Sequence, residues 1–334
     1  MQKVGVAVIG LGVGEQLART FHANAQCELL WINDLDLAKS QRISADLEVK
    51  EAENLEQILN DSKVDLVTVA TYDDVHIDQV IPSLESGRHV FCEKPLCVDR
   101  KQLLAIKKAW SAQDGKAKLF SNLILRSAPI YRWLHKAINK GEFGELFYAD
   151  GDYLYGRIHK IIDGWRGHRK DYSPMLGGGI HLIDLLLWFT EERPYSLFAS
   201  GNNIATKGYD LGVKDFVAST MEFDSGLTAR ISSNLACVHR HQHVLRLFGT
   251  EKTFILDDCG PRIHETRNPD QEPNFLNLPF LPKNKGDLIP DFVDDILNQR
   301  DTDHLTQGVF DAMSIGLAVN QSFKSGSKVE IEYV

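Results

Sequence analysis

Three stretches carry residues placed to do chemistry. The first is Phe91-Cys92-Glu93-Lys94-Pro95-Leu96. A lysine beside a glutamate and ahead of a proline follows His89 to Cys92, an apolar run of strand length. Proline restricts the residue before it to extended backbone. The Lys94 ammonium is therefore aimed at the C-terminal end of a strand, where open α/β sheets bind ligands. Taken alone, an X-Pro turn with a solvated lysine fits as well. The second is Gly177-Gly178-Gly179-Ile180-His181-Leu182-Ile183-Asp184, where His181 interrupts an apolar helix reaching Phe189. A structural histidine bonded to Asp184 is one reading. In the other, the three glycines leave a helix N-terminus bare before His181, where the dipole disfavours imidazolium. A neutral imidazole is what a general base requires.

The third stretch is Gly10-Leu11-Gly12-Val13-Gly14, between an apolar run Val4 to Ile9 and a periodic run Gln16 to Ala23. Strand, glycine turn and helix together form the context of a dinucleotide site: the backbone approaches a pyrophosphate and the helix N-terminus favours its charge. The third fingerprint position is Glu15, with a glycine one place earlier. Asp34 ends the second strand, Glu28 to Ile32, where an acid hydrogen-bonds a ribose diol and repels a 2′-phosphate. No Arg or Lys follows before Lys39, so NAD is favoured over NADP. Asp34 also suits a helix cap. A fourth cluster, His239-Arg240-His241-Gln242-His243, would put three histidines on one face of a strand. No further ligand stands at a metal-site spacing, so sheet surface, subunit interface or pocket wall is the reading and no metal is expected.

The elements that must position these residues alternate through the first third of the chain. Strands at Val64 to Ala70, His89 to Cys92 and Lys118 to Leu123 are separated by helices at Ile77 to Glu85 and Lys101 to Ala112. That rhythm predicts a doubly wound parallel sheet. It stops near residue 122, which sets expected domains of 1–122 and 123–334. Beyond it, a helix Ile130 to Lys140 and a strand Glu145 to Tyr155 lead to the glycine-rich helix. Period-two runs follow at Phe216 to Phe223, Leu227 to Cys237, His243 to Phe248 and Thr253 to Leu256, predicting a mostly antiparallel sheet. Residues Asp258 to Lys285 read as loop, followed by helices at Ile289 to Asn298 and Thr306 to Lys324 and a strand Lys328 to Tyr333.

Composition fits two soluble domains. The chain has 334 residues, 43% apolar and 25% charged, with a formal net charge of −9. Acidity without a basic run argues against nucleic acid or an anionic membrane as partner. The start runs straight into a strand with no leader pattern, and no apolar run spans a membrane. Five scattered cysteines without a C-x-x-C suit reduced thiols in a cytoplasmic protein.

In this order the motifs are familiar. Ala7-Val8-Ile9-Gly10-Leu11-Gly12, Gly87-Arg88-His89-Val90-Phe91-Cys92-Glu93-Lys94-Pro95-Leu96, Gly141-Glu142-Phe143-Gly144-Glu145 and the Gly177 to Asp184 helix together resemble the glucose–fructose oxidoreductase and inositol dehydrogenase (Gfo/Idh/MocA) family over essentially the whole chain. The resemblance implies a Rossmann domain joined to an α+β domain with a large, mostly antiparallel open sheet, through which members form homodimers or homotetramers. It implies a nicotinamide cofactor near Gly10, Gly12, Val13, Gly14, Asp34, Thr71, His76, Glu93 and Lys94. The substrate would be a sugar, nucleotide-sugar or cyclitol, against Lys94, Arg126, Tyr153, Trp165, Arg166 and His181. Lys94 would stabilise the substrate oxygen and His181 would take or return its proton. The family often has an aspartate four residues before the histidine, where this chain has Gly177. A different class of function is a non-catalytic, dinucleotide-binding regulator of the same fold. Retention of Lys94 and His181 argues against it.

Overall fold

A computed structural model describes residues 3–169, 172–209, 211 and 214–334; the opening Met1-Gln2 of the sequence reading lies outside them. The chain divides into two compact units, Met1–Ser127 with Pro282–Phe310 and Val334, and Ala128–Leu281 with Asp311–Tyr333.

In the first unit, strands β1 (Val4–Ile9), β2 (Cys27–Asn33), β3 (Lys50–Glu51), β4 (Leu66–Val69), β5 (His89–Cys92) and β6 (Leu119–Ser121) are joined by helices α1 (Gly14–Ala23), α2 (Leu37–Leu47), α3 (Leu55–Leu59), α4 (His76–Glu85) and α5 (Arg100–Ser111). All strand pairs are parallel, in the order β3-β2-β1-β4-β5-β6. This is the doubly wound order whose switch point lies between the first strand and the fourth. Every residue of β1 and of β4 is buried, as a parallel sheet covered on both faces requires. Three helix starts are set by side-chain caps: Asp36, Asn54 and Asp99 accept from the amides of Lys39, Gln57 and Gln102.

The later segment Pro282–Phe310 belongs to this unit, although the sequence reading gave everything after residue 122 to the second domain. Its helix Ile289–Leu297 sets Phe292 at 5.6 and 6.1 Å, between ring centroids, from Phe91 and Phe120. Aromatic packing across some two hundred residues leaves no local trace in a sequence.

His89 makes the unit sensitive to acid. Its Nδ1 accepts from the Lys118 amide at 3.0 Å, and burial together with the Lys118 charge lowers its pKa to about 4. The unfolded chain takes up a proton near pH 6.5 that the folded chain refuses until about pH 4. Stability from this group is therefore complete above pH 6.5 and lost as pH falls toward 4, by up to about 3 kcal/mol. Urea unfolding between pH 7 and 4.5 is expected to show this loss, and His89→Gln to flatten it.

The second unit holds β7 (Leu146–Leu154), β8 (Ser196–Asn202), β9 (Phe216–Glu222), β10 (Thr228–Asn234), β11 (Gln242–Gly249), β12 (Thr253–Asp257), β13 (Gly260–His264), β14 (Asn274–Phe275) and β15 (Val329–Glu330). They form one sheet, β14-β13-β12-β11-β7-β10-β9-β8-β15, antiparallel except for β7 with β10. Its helices are α6 (Pro129–Asn139), α7 (His159–Ile162), α8 (Ile180–Thr190) and, from Asp311 onward, the long helix Asp303–Ser325. Gly151 in β7 admits α8: a Cβ there would lie 3.2 Å from Leu182. The opposite side of β7 carries Asp150 and Asp152, bound by Arg230 of β10 and Arg246 of β11. Burial raises the Asp152 pKa, but bonds from Arg230 and Ser232 outweigh it and leave the carboxyl below its usual range.

Two sequence expectations fail here. The stretch Asp258 to Lys285, read as loop, contains β13 and β14. The two-residue turn Asp258-Cys259 closes a hairpin in which Gly260 takes φ +94°. The strand Ser196–Asn202 was passed over, although Leu197 and Ala199 are buried and Phe198 is exposed in period two. All five cysteines are free thiols, and burial raises that of Cys27 to about 11. Among the described residues no helix is long and apolar enough to cross a membrane.

Candidate active site

The first unit gathers its predicted residues at the C-terminal ends of β1, β2, β4 and β5. Each glycine of the first turn does different work. Gly10 has φ +84°, and a Cβ on it would lie 2.5 Å from the Ala70 carbonyl oxygen. Only glycine lets β1 turn there against the end of β4. A Cβ at Gly12 would meet nothing within 4 Å, so this amide lies open to an approaching pyrophosphate. A Cβ at Gly14 would meet Ala70 at 3.0 Å and Val8 at 3.3 Å. Gly14 thus provides the close helix–strand packing expected of the third fingerprint glycine. Glu15 in the next place turns sideways to Arg19 at 3.0 Å and Arg42 at 3.1 Å, whose bonds, Arg42's first, hold its carboxyl below the usual range. Its charge is thus neutralised before it can repel a phosphate. Val13, 40% exposed, leads into α1. The residues fit a dinucleotide.

Asp34 accepts from the amide of Leu11 and from that of Asp36 at 2.8 Å, so it also ties β2 to the glycine turn. Lys39, five positions on, lies 3.6 Å from the same carboxylate. The first turn of α2 folds it back toward the end of β2.

Around Lys94 the loops are pinned from both sides. Glu93 is held by the Asn122 amide at 2.7 Å, and Asn122 also donates to the Lys285 carbonyl at 3.0 Å. His76 is fully buried, with Nδ1 2.9 Å from the Pro95 carbonyl and Nε2 3.3 Å from that of Thr71. It therefore ties the loop after β4 to the loop after β5, and acts on a ligand only through them. The Thr71 hydroxyl donates to Gln79 at 3.0 Å. The Lys94–Pro95 peptide is cis. Arg126, in a short turn at Ile124–Ser127, completes the predicted residues of this unit.

In the second unit the helical run opens at Met175, within the stretch Pro174 to Asp184 that the sequence marks as its start. A π-turn, Met175–Gly179, runs directly into α8. The Leu176 amide is capped by the Ser173 hydroxyl at 3.2 Å, and the Gly177 amide bonds the Ser173 carbonyl at 2.9 Å. His181 therefore does not sit at a bare helix terminus, and the dipole argument for it fails. It stands instead just past a π-turn, a feature frequent at functional sites. The glycines make room for rings. A Cβ at Gly177 would lie 1.9 Å from the Tyr172 hydroxyl, and one at Gly178 would lie 2.2 Å from the Tyr153 ring.

Four predicted residues and several unpredicted ones meet around these glycines. His181 is buried, and its ring lies 6.1 Å from that of His243, nearly perpendicular. Tyr153 touches His241 and His243, each at 5.3 Å, and burial holds its phenol far above the usual range. Trp165 meets Tyr172 edge to face at 6.1 Å, with the Arg166 guanidinium 4.6 Å over the indole. The three histidines do not share a strand face: His239 lies ahead of β11 and pairs with Asp258 at 3.0 Å, away from the other two. No cluster of metal-ligating side chains occurs among the described residues.

Residues 4–120 match the oxidoreductase family with an NAD-binding Rossmann fold, and residues 131–255 match the GFO/IDH/MocA C-terminal domain. The chain belongs to the Gfo/Idh/MocA family. Among curated relatives, inositol 2-dehydrogenase of Rhizobium meliloti is 25% identical over 265 residues, 77% of each chain. The 2,7-anhydro-N-acetylneuraminate hydratase of Mediterraneibacter gnavus is 24% identical over 264 residues, 78% of this chain and 69% of the relative. Among solved structures, a levoglucosan dehydrogenase in complex with NADH and L-sorbose superposes with a TM-score of 0.85 at 18% identity, covering both chains fully. The protein is thus an NAD-binding oxidoreductase of the Gfo/Idh/MocA family, with that family's two-part fold. Sequence reasoning missed Tyr172 and the inner position of His243. The Gly177-Gly178 pair was the available signal, since adjacent buried glycines in a helix mark rings pressed against the backbone.

Proposed function

We propose that this chain is an NAD-dependent dehydrogenase or reductase of a carbinol on a sugar, nucleotide-sugar or cyclitol. The observation that carries the reading is the setting of Lys94. It stands at the end of β5, its neighbours fixed by Asn122 and His76, in the same sheet as a turn whose glycines fit a pyrophosphate. A lysine so placed donates to the substrate oxygen and stabilises its alkoxide character as charge develops. His181 takes the hydroxyl proton in oxidation and returns it in reduction. Bound NAD supplies the hydride-accepting carbon. The rings of Trp165 and Tyr153 offer apolar faces to a sugar, and Arg166 offers donors to its hydroxyls or to an acid group. Relatives named inositol 2-dehydrogenase and 1,5-anhydro-D-fructose reductase support this class.

Absorbance of NADH with a panel of inositols, hexoses, uronic acids and nucleotide-linked sugars tests the proposal. At least one is expected to turn over. If none does, while a partner protein binds only in the presence of NAD, the protein is a regulator. Preference for NAD follows from Asp34, whose carboxylate accepts from a ribose diol and repels a 2′-phosphate. Lys39 stands ready to bind that phosphate once the acid is gone. Asp34→Ala is expected to shift the ratio of kcat/KM for NAD over NADP toward NADP by about tenfold or more. Association into a dimer or tetramer is assigned to the side of the nine-stranded sheet that carries Asp150, Arg230 and the exposed Phe198, and is read by light scattering.

A further inference from the structure

We infer that His243 and His241 form a proton relay joining His181 to solvent. This rests on the proposed acid/base role of His181 and deepens it by assigning the route its proton takes. The strand register creates the arrangement. In the pair β7–β11, His243 stands opposite Tyr153 and Gln242 opposite Leu154. His241, just before β11, turns its ring to within 5.1 Å of that of His243, at 74°. His181 lies 6.1 Å from His243 in turn, so His243 is the ring common to both contacts. Centroid separations of 5.1 and 6.1 Å leave room for one bridging water between neighbouring rings.

The three rings run from inside to outside. His181 and His243 are 7% and 6% exposed, while His241 is half-buried. Tyr153 lies 5.3 Å from each of the two relay rings, and Tyr155 lies 5.7 Å from His241, so phenol rings line one flank. The tautomer at the outer end is set by the backbone. His241 Nδ1 lies 3.0 Å from the Leu154 carbonyl, which can only accept. Nδ1 thus carries the proton, and Nε2 is the nitrogen that takes a proton and gives it up. Beside these rings, Tyr172, Tyr155, Arg166 and Arg157 act on Tyr153. Burial drives the Tyr153 phenol upward, so it stays neutral beside these rings.

The chemistry needs such a route. Oxidation of a carbinol breaks a C–H and an O–H bond: the hydride leaves with both electrons to the nicotinamide and the proton goes to His181. Before the next turnover that proton must depart. Through one bridging water, an N–H on His181 breaks as an O–H forms, and another O–H of that water breaks as an N–H forms on His243. The far nitrogen of His243 then gives its own proton to Nε2 of His241, which passes it to water. Reduction runs the same steps backward, and no co-reactant beyond the nicotinamide is required.

Two variants of the full chain, His243→Asn and His241→Asn, test the relay. Without substrate or cofactor, histidine side-chain NMR reads the exchange of the His181 ring proton with water. It is expected to slow by about tenfold or more in His243→Asn and by less in His241→Asn. With NAD and a substrate, kcat is expected to fall by about tenfold at unchanged KM, with partial recovery on adding free imidazole. Unchanged exchange and unchanged kcat in both variants would overturn the relay. So would a joint loss of kcat and KM that imidazole does not rescue, since that marks a structural role. If His243→Asn does not fold, the same readings on the half-buried His241→Asn decide. Slowed exchange in a protein that oxidises no polyol would sink the dehydrogenase reading and leave the relay standing.

Discussion

Lys94→Ala is expected to lower turnover by about 10²- to 10³-fold, the usual cost of removing one donor aimed at developing negative charge. The dissociation constant for NAD should stay within about twofold, because the glycine turn and Asp34 do not depend on this side chain. The argument turns on rigidity. Asn122 holds Glu93, and His76 holds Pro95, so the Lys94 backbone is fixed before any ligand arrives. A donor fixed in advance costs little reorganisation when charge appears. Lys94→Arg should recover only part of the loss, since a planar fork does not reproduce a compact ammonium. Steady-state kinetics with fluorescence titration of NADH separates the two effects. Turnover like that of the wild type in Lys94→Ala would remove the lysine from the reaction, and a parallel loss of NADH binding would make it a cofactor residue instead.

The parallel sheet was legible because its signals are local. Val4–Ile9 is uniformly apolar, Gly10 and Gly14 stand where a side chain would meet Ala70, and Asp36, Asn54 and Asp99 each cap the helix they precede. The family resemblance rested on the same stretches, and the matches over residues 4–120 and 131–255 agree with it. What escaped depends on contacts distant in sequence. Phe292 joins the first unit by packing on Phe91 and Phe120, and no pattern near residue 292 says so. Lys39 comes to Asp34 only because α2 starts at once after its cap. His243 seemed one of three equivalent histidines until the register with Tyr153 turned it inward and left His239 with Asp258. The glycine triplet misled for a physical reason. Glycines before a helix usually mark its entry, but here they lie inside it, where a π-turn brings the backbone against two tyrosines.

That π-turn supports the other large effect. Gly177→Ala adds a single methyl group, yet its Cβ would sit 1.9 Å from the Tyr172 hydroxyl and 2.5 Å from Cζ of the same ring. Alanine is otherwise the better helix former by about 1 kcal/mol, so propensity alone predicts a small gain in stability. Overlap with the ring decides the sign. Tyr172 packs edge to face on Trp165 beneath the Arg166 guanidinium, so it cannot retreat without moving a predicted substrate-binding pair. The helix can yield instead, which carries His181, four residues on and on the same face, away from its place. Either movement is of the order of 1 Å, and displacements of that size cost about 10² in rate. Gly177→Ala is therefore expected to lose about 10²-fold in kcat/KM while NAD affinity, which depends on the first unit, is unchanged. A thermal midpoint that falls by only a few degrees would accompany it, in line with about 1–3 kcal/mol of overpacking. Tyr172→Ala provides the control: it removes the ring whose hydroxyl and Cζ the new methyl group would meet, so in that background the alanine at 177 should do less damage. Equal losses from Gly177→Ala with and without the Tyr172 ring would show that the glycine serves only the helix, and that Tyr172 has no part in holding His181.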